Sequence, residues 1–162
     1  MTELYIKTHF EVTAIVNDQL ENWVVQAGCP DIYVHCSAIE RMLLDFDAQE
    51  RQGVQHIFVE RPYISLTGRD TDSERVKKII VSQRKFGVII YTLKQLFKHA
   101  EIKELSSGVV RQGLFPDEGV SKDRLLSLSR YAFDSYGNYS VLGELCLGDA
   151  YLMYLYNTKE TQ

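Results

Sequence analysis

The sequence predicts a single-domain protein of mixed α and β structure, α+β or α/β, with three to four N-terminal strands, a long amphipathic basic helix and a helical C-terminal third. Three patterns carry this expectation. Apolar side chains alternate with polar ones over residues 4–16. Apolar and basic side chains separate onto opposite sides of a helix over residues 75–98. From residue 122 onward, Leu and Tyr recur at helical spacing.

Leu4, Ile6, Phe10, Val12, Ala14 and Val16 mark one half-buried strand or two joined by a bend. Asn17 or Asp18 can then cap a short helix that carries Leu20, Trp23 and Val24 and stops at Gly28, before Pro30. Residues 32–35 read as a strand. Ser37 and Glu40 have capping-box spacing, and Ile39, Met42, Leu43 and Phe46 continue a helix toward Gly53. Residues 54–59 form the next strand, which Pro62 cuts and residues 63–66 can resume.

Thr71 and Glu74 are a second capping-box pair that opens the long helix, assigned to 73–99. The competing reading breaks it at Gly87 and makes the β-branched 87–92 a buried strand; the longer periodicity favours the helix. Residues 106–121, with three glycines and a proline, read as a long loop or small hairpin. Helices over 122–134 and 140–156 complete the C-terminal part, 122–156. The whole, 1–162, is expected to be one globular domain whose mixed strand and helix part is 1–68.

A chain of 162 residues with 45% hydrophobic and 25% charged side chains can bury a core without disulfides or metal, which excludes wholesale disorder. Three cysteines form an odd set, and the opening MTELYIKTHF lacks a secretory leader's pattern, so an intracellular, cytoplasmic protein with reduced thiols is expected. Arg84 and Lys85 interrupt the longest apolar run, so no membrane span is expected.

Val34-His35-Cys36-Ser37-Ala38 resembles the protein tyrosine phosphatase signature, in which a cysteine at a strand end faces a glycine-rich phosphate cradle closed by an arginine. The likeness stops there. Only four residues separate Cys36 from Arg41, none is glycine, and Glu40 would bring a carboxylate into the anion pocket. Cys36 is therefore read as a small buried apolar group.

The histidines His9, His35, His56 and His99 lack zinc-site spacing. Asp70, Asp72 and Glu74 alternate like calcium-loop ligands, but Arg75 follows where glycine is needed, and Gly68-Arg69 precedes acids rather than a phosphate loop. No catalytic residue, metal ligand or cofactor is assigned, and the chain leans away from enzymes.

The least average feature is charge segregation. Residues 1–68 hold four Lys/Arg against ten Asp/Glu, whereas 75–100 hold seven Lys/Arg and no acid. Lys77, Lys78, Arg84, Lys85, Lys94 and Lys98 thus form a candidate partner-binding stripe. The leading expectation is a non-enzymatic, regulatory protein-binding module of adaptor, inhibitor or toxin-neutralising type, docking an acidic protein partner. The alternatives are a small hydrolase of phosphate esters and a nucleic-acid-binding protein.

Overall fold

A computed structural model describes residues 1–9, 12–26, 31–62 and 73–160. Three strands, β1 (Glu3–His9), β2 (Val12–Asn17) and β3 (Asn22–Gln26), form an antiparallel meander. After helices α1 (Ile32–Leu44) and α2 (Ala48–Gly53), strand β4 (His56–Arg61) joins β1 in parallel. Helix α3 (Ser73–Leu96) crosses back so that β5 (Glu101–Ser106) pairs parallel to β4. Helices α4 (Ser107–Leu114), α5 (Lys122–Phe133) and α6 (Val141–Glu160) end the fold, and the sheet order is β3-β2-β1-β4-β5.

The alternation in β1 is the two-faced pleat of a sheet covered on both sides. Leu4 and Ile6 join one core with Ile57 and Val59 of β4, under Ile39 and Leu43 of α1 and Ile89 and Leu93 of α3. Tyr5 points the other way and stacks on Phe58 with ring centroids 5.0 Å apart, in the core covered by Val110 of α4, Leu125 of α5 and Leu147 of α6. Helices therefore cover both faces. Lys7 and Glu60 follow Tyr5 and Phe58 at the next same-face positions, so the pleat aims both at α4 and α6.

At the amino end of β1, Asn157 of α6 donates to the Tyr5 hydroxyl at 2.9 Å, and that hydroxyl donates to Glu3. Gly148 lets α6 approach α5, because a Cβ there would stand 2.7 Å from the Leu125 carbonyl oxygen.

The long helix forms as one piece, since Ile89, Leu93 and Phe97 bury at helical spacing through the β-branched stretch. Its 24 residues span about 36 Å, whereas a six-residue strand spans about 20 Å. Helix α3 starts after β4 ends and returns to the start of β5. Its surplus length lies beyond the carboxyl ends of the parallel strands, and residues 73–82 are exposed except Ile79. No described helix is long and apolar enough to cross a membrane.

Several sequence-based expectations are corrected. The helix expected from Asn17 to Gly28 is, over the described residues 17–26, a tight turn and β3: Asn17 Oδ1 accepts from the Gln19 and Glu21 amides, and Leu20 adopts φ 63°. The strand expected over 32–35 is the first turn of α1, because Asp31 caps the Tyr33 and Val34 amides. The Ser37–Glu40 pair lies inside that helix; the observed capping box is Asp47–Glu50 at α2. Residues 106–121, expected as a loop or hairpin, hold α4 immediately after the unforeseen edge strand β5. The proposed resumption over 63–66 and the Thr71 cap lie outside the described residues.

Candidate functional site

The buried charges gather at the carboxyl ends of β1 and β4, the edge where parallel α/β sheets generally receive ligands. One residue beyond the Ile6–Val59 pair in the parallel register, Lys7 forms an ion pair with Glu60. The Lys7 ammonium also stands 3.6 Å from Asp149 Oδ2 on α6, and Arg111 of α4 donates to Asp149 Oδ1 at 2.7 Å. Glu60 and Asp149 are both buried to 9% exposure. Two cations thus neutralise two carboxylates that would repel each other alone.

Burial by itself would lower the Lys7 pKa, but Glu60 and Asp149 outweigh it and hold the ammonium above the ordinary lysine value. Burial pushes Glu60 above the usual carboxylate range; Lys7 opposes this, and Asp149 adds to it. Cys146, buried beside these groups, is pushed up to about 12 by burial and is no thiolate at neutral pH.

Further basic groups surround the cluster. His9 at the end of β1 titrates below its ordinary value through desolvation and the nearby Lys7, Lys85 and Lys122, with Asp149 opposing. Four cations, Lys7, Lys85, Arg111 and Lys122, stand against the carboxylates of Glu60 and Asp149. Lys7, Lys85 and Lys122 thus all stand close enough to disfavour a further positive charge on His9 at this edge.

The stripe expected on α3 is divided by the fold. Lys77, Lys78 and Arg84 are exposed on the turns nearest the carboxyl edge. Lys94 and Lys98 are exposed at the opposite, amino edge, beside a groove lined by Arg51, Gln52 and Gln95. Lys85 is buried at 7% exposure instead of lying on a solvated face. Sequence reasoning missed Lys7, Glu60, Arg111 and Asp149. The signal was a charge set in or at the end of an apolar stretch, Asp149 within CLGDAYLM and Glu60 closing IFVE.

Cys36 lies inside α1 instead of at a strand end, and burial raises its pKa although Lys85 opposes. It lacks the setting of a nucleophile. Neighbouring His35 is buried with Nε2 2.8 Å from the Thr13 hydroxyl, a strut between α1 and β2. Cys29, Gly68, Arg69, Asp70 and Asp72 lie outside the described residues.

Glu60 and Asp149 are ligand types that divalent cations use at phosphate-handling sites. The full set does not fit such an ion. The Lys7 ammonium already contacts both carboxylates, and a divalent cation about 4 Å from it meets roughly 8 kcal/mol of repulsion at an effective dielectric of 20. Among the described residues no cluster of three or more His, Cys, Asp or Glu could hold a metal ion.

The architecture around this cluster has full-length counterparts among solved structures. The chain is similar to RuvC of Thermus thermophilus, with a TM-score of 0.61 and 11% identity over 99% of this chain and 97% of that one. The fold is shared with RuvC. The same protein in complex with a Holliday junction substrate superposes with a TM-score of 0.62 and 11% identity, covering 99% and 96% of the two chains. No family model and no curated protein matches the sequence.

The RuvC likeness overturns the expected non-enzymatic module for an acidic protein partner. The full-length counterpart is a protein solved with a nucleic-acid substrate, and the nucleic-acid alternative agrees better with that fold.

Proposed function

We propose that this chain is a cytoplasmic nucleic-acid-binding protein that takes branched DNA, a four-way junction above all, along the carboxyl edge of its parallel strands. The observation that carries the reading is the end-to-end likeness to RuvC solved with a Holliday junction substrate. The charge distribution supports it: a chain of net charge −4 presents cations where the fold would receive its ligand. Lys77, Lys78 and Arg84 contact phosphates from the projecting half of α3, and Lys122 and Arg111 do so from the opposite face of the sheet. Such contacts fix register and orientation; preference for a junction comes from its shape.

Binding of a labelled synthetic four-way junction, compared with duplex and single strand of equal length, tests this reading. The junction should bind tightest, with a log–log salt slope of about −0.9 per phosphate neutralised on duplex arms. Reversing Lys77, Lys78 and Arg84 to Glu should weaken binding by roughly tenfold or more and flatten the slope, whereas reversing Lys94 and Lys98 should change neither. Failure of micromolar protein to bind any of the three DNAs at about 50 mM salt would sink the proposal.

A further inference from the structure

The carboxylates of Glu60 and Asp149 meet at the carboxyl edge of the sheet as if to share a cation, and one is already built into the chain. We infer that Lys7 is a permanent internal counter-cation which keeps divalent metal ions out of the Glu60–Asp149 cluster, and that this one side chain decides whether the cluster takes a metal. The geometry supports the inference from three directions. Lys7 is ion-paired with Glu60 and lies 3.6 Å from Asp149, so it touches both prospective ligands. Arg111 takes the other Asp149 oxygen at 2.7 Å, so that carboxylate has no oxygen away from a cation. The lysine stem is held by the pleat on the side facing α6 and is largely buried, at 16% side-chain exposure, so the ammonium cannot swing out to water as a surface lysine would.

Lys7 itself occupies the third corner of the cluster. A carboxylate there would join Glu60 and Asp149 in a three-carboxylate set of the kind that binds Mg²⁺ or Mn²⁺. The substitution Lys7→Asp therefore changes both the charge and the ligand count at one position. The inference is independent of the nucleic-acid reading, because its readout uses the metal alone.

Mn²⁺ binding to the full chain, followed by calorimetry and by the electron paramagnetic resonance signal of free Mn²⁺, tests it without DNA or activity. The wild type and its Glu60→Gln variant should show the same weak, surface-type uptake. Lys7→Asp, checked for folding by circular dichroism, should bind one Mn²⁺ ~tenfold tighter or more, and adding Glu60→Gln to it should abolish the gain. A folded Lys7→Asp variant that binds no better than wild type would overturn the inference. So would tight Mn²⁺ binding by the wild type that Glu60→Gln removes, a comparison that stands even if Lys7→Asp does not fold.

Discussion

Lys7 on β1 and Asp149 on α6 meet across the sheet-to-helix interface at 3.6 Å, each also bound to a second charged partner, Glu60 and Arg111 respectively. The contact pins the last helix to the first strand at the edge where the candidate site lies. Replacing Lys7 with Met removes the ammonium shared by the two carboxylates, and Arg111 alone cannot serve both. The variant should lose about 3–5 kcal/mol in urea unfolding. The double variant Lys7→Met/Glu60→Gln should recover more than half of that, because Asp149 keeps Arg111. Equal losses for the single and double variants would show that packing of the lysine stem, not charge pairing, dominates.

The opposite packing of α6, against α5, depends on a close helix approach. Gly148→Ala places a methyl 2.7 Å from the Leu125 carbonyl oxygen, a backbone atom that cannot rotate away. The expected loss is about 1–3 kcal/mol. Gly87→Ala provides the control, because nothing lies within 4 Å of its Cβ position, and it should be neutral or slightly stabilising. Thermal unfolding of the two variants side by side gives the comparison.

Acid stability should depend on Asp18 at the β2–β3 turn. Its carboxylate accepts from the Thr2 amide at 3.0 Å and the Thr2 hydroxyl at 2.7 Å. Burial works against the ionised form, but these hydrogen bonds outweigh it and lower the pKa. A depressed carboxyl contributes stability that is fully present above its unfolded value and lost as pH falls through the folded one. Urea midpoints measured from about pH 5 down to pH 2 should therefore fall less steeply for Asp18→Asn than for wild type. Parallel curves would remove Asp18 from the account.

Elements defined by side-chain period were legible in the sequence, and elements defined by turns were not. Helix α3 was legible from the separation of apolar and basic side chains over 75–98, which runs through a stretch whose β-branching argues for a strand; the structure then shows Ile89, Leu93 and Phe97 as its buried positions. Strand β3 was mistaken for a helix because nothing in the sequence announces that Leu20 adopts positive φ and closes a turn over the Asn17 side chain. Helix α1 begins earlier than expected because Asp31, not Ser37, supplies the cap. Strand β5 is a polar edge strand, EIKELS, with no apolar run to betray it. The candidate site was invisible for another reason: Lys7, Glu60, Arg111 and Asp149 lie on four elements, and only the parallel pairing of β1 with β4 and the docking of α4 and α6 bring them together.

Hydrogen exchange of the wild-type chain with and without a four-way junction tests the central claim most directly, because it reports binding and its place together. Under the proposed reading, junction DNA slows exchange in peptides covering residues 73–85, 107–114 and the start of α5, while residues 94–99 and the β2–β3 hairpin exchange at unchanged rates. Protection confined to 94–99 and α2, at the amino edge, or no protection at a DNA concentration that saturates an independent binding assay, would contradict it.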